Sequence, residues 1–423
     1  MRILIVTPPL VGHISPLLGV AAELEARGHL IAWADIAGFQ RRLLPPTATS
    51  YPCRSGWPDD LAPSRPDNLK GPAALKFLWE DIFVPLARGM ADDLAEAAQD
   101  FRAELLLVDQ QALAGAIVAE RLGLPWVSSL STMDELLNPL AELPKVAQWR
   151  ATLFAELAEE LGLPDGVIGP AGPPHNSPFN PLFSPLLSLA YGIAGLFQRG
   201  PLPSTPIDFV GPVFRPNTGG EAAERFIDFA REAEGPTALL ALGTANVEAG
   251  ERFLKTAAEG LTEAGISTIV ADPSGVLTGF ESECLLSAPF LPQRELLRHV
   301  DVFITHSGYN SVCESIWHGV PMVLAGIRDD QPLIAQNAAE HGLGIAVRFS
   351  RASGAQIAEA TAQVLAEPSY AEKVELYAEK FHCAGGAAAA ADALEGLRLG
   401  ELQTAQSNSA PSSGSIHDQN PTV

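Results

Sequence analysis

Positive charge is scarce in this chain of 423 residues: 27 Lys and Arg stand against 50 Asp and Glu, a formal net charge of −23. A surface of that sign repels phosphate backbones and anionic headgroups. It excludes nucleic acid and anionic membrane as partners and requires any phosphate site to be local. Cysteine is nearly as rare. Cys53, Cys284, Cys313 and Cys383 lie far apart, with no Cys-x-x-Cys pair and no companion histidine spacing. Neither a zinc site nor a disulfide framework is expected, and the thiols should be reduced. No Gly-x-Gly-x-x-Gly follows the first apolar run, which argues against a dinucleotide oxidoreductase. The longest uncharged stretch, Asn176–Gln198, is broken by Pro178, Pro181 and Pro185, so it does not read as a membrane span. From Arg2 onward the chain enters a strand-like run with no small-residue cleavage site after it. That predicts a cytoplasmic protein without a signal peptide.

The length is too great for one ordinary core and suggests two domains. Strand-like runs alternate with helix-like runs in both halves, the pattern of parallel βαβ units, with no clear sequence repeat between the halves. The expected fold class is therefore α/β, with two Rossmann-like domains. A stretch rich in Pro and Gly, from Gly200 to Gly220, marks the boundary. It divides the chain into residues 1–215 and 221–400. The tail, 401–423, is rich in Ser, Asn, Gln and Pro and is expected to be disordered.

The most informative segment is His306-Ser-Gly-Tyr-Asn-Ser-Val-Cys-Glu314, set between the apolar run Val302–Thr305 and the apolar segment Val320–Leu324. It reads as a strand that ends at a turn and opens a helix, with Asn310 or Ser311 able to cap that helix and Gly319 closing it. Unpaired N–H groups and a positive helix end at such a turn suit a diphosphate. An aromatic ring at Phe290, followed by Leu-Pro-Gln293, lies upstream, and Asp329-Asp330-Gln331-Pro332 lies downstream. Read alone, Asp329 and Asp330 are also compatible with a solvated acidic turn and, less readily, with a divalent metal pair. Taken together, the box from Phe290 to Gln331 resembles the nucleotide-sugar signature of the family 1 glycosyltransferases. These are UDP-dependent enzymes of the GT-B fold, in which two domains face each other across a cleft.

That resemblance implies roles that the residue chemistry can support. Phe290 would stack on the base, an interaction worth about 1–3 kcal/mol in single-strand binders. The family usually has Trp there. His306, Gly308, Asn310 and Ser311 would face the diphosphate, with Gln293 at the start of the box and Glu314 on the ribose hydroxyls. Asp330 and Gln331 offer an acceptor and a donor–acceptor pair for the transferred sugar. Ala238-Leu-Leu-Ala-Leu-Gly243-Thr244 resembles the strand that opens the family's carboxyl-terminal domain, where Gly243 and Thr244 would contact phosphates and sugar.

Two residues of the amino-terminal half carry the expected chemistry. Ile3–Thr7 is a strand-like run, Pro8–Gly12 a loop, and Ser15-Pro16 a helix start closed by Gly28. His13 thus falls at the carboxyl end of a parallel strand, where α/β sheets place ligands. Gly12-His13-Ile-Ser-Pro16 is similar to the family loop whose His is the general base. Asp109, ending the run Leu105–Val108, is by itself also compatible with a plain helix cap. Its context resembles the family segment whose Asp partners that His, orienting the ring and supporting the imidazolium.

The resemblance implies an inverting, metal-independent transfer of a hexose, with glucose the expected sugar, from a UDP-sugar to a hydroxyl of an apolar small molecule. No cofactor beyond this co-substrate is expected. The donor would bind residues 221–400 and the acceptor residues 1–215. The acceptor pocket would be shaped by the loop 39–76 and by apolar residues between Thr132 and Pro185, namely Leu136, Leu137, Leu140, Leu143, Trp149, Leu153, Phe154, Phe179 and Phe183. Those residues are equally compatible with ordinary core. The nearest likeness is the bacterial branch that includes macrolide and zeaxanthin glucosyltransferases. A nucleotide-sugar epimerase of the same fold and a non-catalytic nucleotide-sugar-binding protein are the alternatives.

Overall fold

Short, uninterrupted apolar runs suit strands that are buried on both faces, as parallel strands under helices must be. The computed structural model describes residues 1–66, 69, 71–163, 179–215, 223–243 and 247–397, without the side chain of 248. The first sheet contains β1 (Arg2–Val6), β2 (Leu30–Ile36), β3 (Thr49–Cys53), β4 (Leu105–Asp109), β5 (Trp126–Leu130), β6 (Ser188–Ala190) and β7 (Ile207–Phe209). The second contains β8 (Thr237–Ala241), β9 (Ser267–Ala271), β10 (Leu285–Ala288), β11 (Val302–Thr305), β12 (Met322–Leu324) and β13 (Gly344–Ala346). Among the described residues every strand pairing is parallel. The two Rossmann-like sheets expected from the sequence are present.

Strand order decides where each sheet can hold a ligand. The first sheet runs β3-β2-β1-β4-β5-β6-β7 and the second β10-β9-β8-β11-β12-β13. Each reverses direction once, between β1 and β4 and between β8 and β11. At such a switch point the two following connections diverge to opposite faces and leave a crevice beyond the strand ends. His13 and Asp109 follow the first pair of strands, and Gly243 and His306 the second. In-register pairing of Val6 with Val108 and of Thr305 with Ala241 brings each pair of strand ends level.

Three local features depart from the sequence expectations. The first helix, Val11–Ala26, begins before Ser15-Pro16 and encloses Pro16. Leu10, in an extended conformation, is its N-cap. Pro16, the sixth residue of the helix, lacks the N–H that would have bonded the carbonyl of Gly12, and the side chain of Asn310 supplies that donor instead. The helix Tyr309–Trp317 starts from Gly308 with no side-chain cap, so neither Asn310 nor Ser311 caps it. Its far end is as expected, with Gly319 at φ +69°.

The last helix, Gly386–Gly396, lies within the stretch assigned by sequence to the second domain but packs against the first helix. Ala390, Ala391 and Leu394 are fully buried with Leu17, Val20 and Leu24, and Arg27 pairs with Asp392 and Glu395. The cause is an apolar alanine face that the second sheet leaves uncovered and the first helix completes. Residues 216–222 of the expected boundary and the tail 401–423 lie outside the described residues. All four cysteines are free. Among the described residues no helix is long and apolar enough to cross a membrane.

Candidate active site

His13 and Asp109 meet at the first switch point. Nδ1 of His13 lies 3.0 and 3.1 Å from the two carboxylate oxygens of Asp109, which is fully buried. The backbone N–H of Gln111 donates to Oδ1 at 2.9 Å and holds the carboxylate in place. Burial pulls the imidazole pKa down. The charge and hydrogen bond of Asp109, helped by Asp134 and Asp330, outweigh that, and the net value stands above 6.5. With Nδ1–H directed at the carboxylate, Nε2 is the atom left to take a proton.

Two residues just beyond β5 join this pair, although the sequence did not single them out. Ser131 Oγ sits 2.6 Å from His13 Nδ1 and donates to Asp109 Oδ2 at 2.5 Å. Its neighbour Thr132 donates through Oγ1 to Asp330 Oδ2 at 2.8 Å, reaching across to the second sheet's loop. Asp134 accepts from Gln110 Nε2 at 3.0 Å and from the Glu135 N–H at 2.9 Å. Burial first, then the nearby carboxylates of Glu135 and Asp330, hold the Asp134 pKa well above the usual carboxylate range. Serine and threonine at a strand end carry no special signal, which is why the sequence alone left them unremarked.

At the second switch point the His306 ring lies between two glycines. A Cβ at Gly243 would sit 2.8 Å from its Nε2, and one at Gly308 would come closer still to the same atom. Burial drives His306 down to about 4, against a weaker opposing hydrogen bond with the Ala241 backbone, so the ring is neutral at pH 7. Nδ1 of His306 and Oγ of Ser307 are both buried without a partner among the described residues. Ser307 also takes a left-handed backbone, φ +64°, a conformation that costs a non-glycine residue about 1–2 kcal/mol. Orphaned polar atoms and strain beside an uncapped helix start are what an anionic ligand would satisfy.

Asn310 does not point at that space. Its Nδ2 donates to Gly12 O at 2.8 Å, the carbonyl that Pro16 leaves without a helical donor. Gln293 Nε2 bridges Ser311 Oγ at 3.2 Å and Glu314 Oε2 at 2.7 Å. Burial raises Glu314 despite Gln293, Arg294 and Arg215. Asp330 is raised by burial too, against the Thr132 hydrogen bond. Gln331 Oε1 accepts from the N–H groups of Ile327 and Arg328 at 3.2 and 3.3 Å, so only its amide nitrogen is uncommitted in these contacts. Asp329 pairs instead with Arg65. Phe290, 75% exposed, stands at the rim of a cavity of about 110 Å³ that Gly243, Pro273 and Gln293 also line. Thr244 lies outside the described residues.

The residues expected to line an apolar acceptor pocket are mostly structural. Leu136, Leu137, Phe154, Phe179 and Phe183 are buried in the main core, which also takes Trp149 and Leu153 at its edge, and Leu140 is buried as well. The amphipathic helix Pro144–Glu160 brings Phe154 there through its apolar face. Leu143 is exposed, as are Leu10 and Val11, which flank His13.

A histidine paired with a buried carboxylate thus lies at the switch point of one α/β sheet, and orphaned polar atoms beside a helix start lie at that of the other. The architecture is that of the GT-B glycosyltransferases, and the chain is similar in sequence to UDP-glycosyltransferases. Residues 194–382 match the family described as UDP-glucoronosyl and UDP-glucosyl transferase. The chain is 26% identical to 4'-demethylrebeccamycin synthase of Lentzea aerocolonigenes, covering 94% of this chain and 99% of that protein. It is also 26% identical to zeaxanthin glucosyltransferase of Pantoea ananas, over 92% and 94% of the two chains. Among solved structures, the glycotransferase of kitacinnamycin superposes with a TM-score of 0.73 at 22% identity, covering 93% of this chain and 98% of the other.

Proposed function

We propose that this enzyme transfers a hexose, with glucose the first candidate, from a UDP-sugar to a hydroxyl of an apolar small molecule in the cytoplasm, with inversion and without a metal. His13 Nε2 takes the acceptor proton as the acceptor oxygen bonds to the anomeric carbon. The bond from that carbon to the diphosphate oxygen breaks, and the electron pair leaves with UDP. Asp109 stabilises the imidazolium. His306, Ser307 and the first N–H groups of the helix Tyr309–Trp317 receive the departing diphosphate, and Asp330 and Gln331 hold the sugar.

The observation that carries this reading is the pairing of His13 with a fully buried Asp109, on the first turn of a helix that Asn310 ties to the start of the helix Tyr309–Trp317. Metal independence draws support from the divergent partners of Asp329 and Asp330, which turn to Arg65 and Thr132. An apolar acceptor is favoured by Leu10 and Val11, each 40% exposed beside His13, and by the relative named for zeaxanthin, a carotenoid. The test is a panel of UDP- and dTDP-sugars against apolar alcohols and phenols, with and without chelator. The anomeric configuration of the product is read by NMR. A product of retained configuration, or turnover abolished by chelator, would overturn the corresponding part of the proposal.

A further inference from the structure

The His13–Asp109 pair has a third member. We infer that Ser131 is a positioning residue for the base, a role that rests on the assignment of His13 as that base. Ser131 is 3% exposed, and its Oγ lies within hydrogen-bond reach of both partners, 2.6 Å from His13 Nδ1 and 2.5 Å from Asp109 Oδ2. One hydroxyl proton and two lone pairs fix the pattern. An ionised Asp109 can only accept, so the Ser131 proton goes to Oδ2. The Ser131 oxygen can then only accept from His13, so the Nδ1 proton lies between the carboxylate and the hydroxyl.

Two consequences follow for the reaction. The proton on Nδ1 is held there by two acceptors, which keeps Nε2 unprotonated and able to receive the acceptor's proton. The imidazolium formed in the transfer then has both acceptors already in place, with no reorganisation of solvent at a buried site. Ser131 itself neither gains nor loses a proton. Its position follows from the fold: Asp109 pairs with Ser129 in register, and Ser131 is the first residue beyond the end of β5, level with the loop that follows Asp109. Thr132 turns the other way, to Asp330, so the same short step holds the base on one side and the sugar-binding loop on the other.

The experiment is a double-mutant cycle read with two acceptors. Ser131→Ala should lower kcat on an unactivated alcohol about 10- to 100-fold, the worth of a hydrogen bond to a charged group. The KM for the UDP-sugar should stay near wild type. On a nitrophenol, whose hydroxyl needs little help from a base, the loss should shrink to a few-fold. Ser131→Thr keeps the hydroxyl and should recover most of the activity, and Ser131→Cys, close in volume but a weak hydrogen-bonder, should not. The Thr and Cys pair decides the matter if the alanine variant folds poorly. In a His13→Ala background, Ser131→Ala should cost nothing further, because the two act as a unit. Equal losses on both acceptors, or losses that multiply with that of His13→Ala, would overturn the positioning role while leaving the base assignment intact. Normal turnover of His13→Ala on the alcohol would instead overturn the base assignment itself.

Discussion

Replacing Asp109 by Asn separates the charge of the pair from its shape. The Gln111 N–H, 2.9 Å from Oδ1, requires an acceptor there, so the new amide nitrogen must take the Oδ2 position. His13 Nδ1–H therefore keeps the oxygen that lies 3.0 Å away, and the tautomer survives. What is lost is the negative charge, together with the Oδ2 acceptor of the Ser131 proton; the Ser131 hydroxyl must turn to accept from the new amide nitrogen. A hydrogen bond to a charged group contributes about 1.5–3 kcal/mol and a neutral one about 0.5–1.5 kcal/mol, so the change should cost about 1–2 kcal/mol in the transition state, or roughly 5- to 30-fold in kcat. That is less than the roughly 10²–10⁴-fold expected of His13→Ala. The pH profile carries the sharper signal. Asp109 is the main cause holding His13 above 6.5, and without it the lowering by burial prevails. The rising limb of kcat/KM, which reports the free base, must then move to lower pH. The raised pKa also contributes stability, present in full below 6.5 and lost as pH rises through the folded value; Asp109→Asn should flatten that loss. A limb that stays in place or moves upward, or a rate loss exceeding that of His13→Ala, would refute the reasoning.

Phe290→Ala should weaken UDP binding by about 1–3 kcal/mol, the worth of one stacked base. It should leave the thermal midpoint unchanged because the ring is 75% exposed, and calorimetric titration checks both. His306 is neutral when folded, its pKa lowered to about 4 from 6.5. The unfolded state binds the extra proton in that window, so stability should be lost as pH drops from 6.5 to about 4, by up to about 3 kcal/mol, since each pH unit between the two values contributes about 1.4 kcal/mol. His306→Gln should reduce the slope of midpoint against pH there, and an unaltered slope would contradict the buried neutral ring. Gln331→Glu keeps the acceptor that holds Ile327 and Arg328 but removes the amide donor. It should spare stability and UDP affinity while raising the KM of the UDP-sugar about 5- to 10-fold, the worth of one hydrogen bond.

Local patterns carried the architecture. Uninterrupted apolar runs and the Gly and Pro residues between them placed β1, β4, β8 and β11, and spacing alone put His13, Asp109, Gly243 and His306 at their ends. What the sequence could not carry is contact between residues far apart in the chain. Ser131 lies 118 residues from His13, and Thr132 lies 198 residues from Asp330. A hydroxyl at a strand end looks the same whether it faces water or a catalytic carboxylate. The apolar run from Leu136 to Phe183 failed differently. Hydrophobicity predicts burial, but core and pocket lining have one composition, and here Leu136, Leu137, Phe154, Phe179 and Phe183 are buried in the main core. The last helix was assigned by position in the chain, whereas its alanine face is matched by Leu17, Val20 and Leu24 at the opposite end of the sequence.

Pro16 shows how one residue can be read correctly as a local signal and still have its main consequence elsewhere. In sequence, Ser15-Pro16 marks a helix start, because proline there forfeits no internal bond. In the structure the helix is already running at Val11, and the forfeited bond belongs to the carbonyl of Gly12. That oxygen is not left unpaired. Asn310, at the second position of the helix Tyr309–Trp317, donates to it at 2.8 Å, and a Cβ on Gly12 would come within 3.7 Å of the same amide nitrogen. The small residue and the missing N–H together open one backbone oxygen of the His13 turn to the other domain. Asn310, expected from sequence to donate to phosphate, thus commits its side chain to the helical turn that carries His13, while its backbone stays at the uncapped start of its own helix. Because the carbonyl belongs to the residue next to His13, this one hydrogen bond ties the start of the helix Tyr309–Trp317 directly to the turn that carries His13.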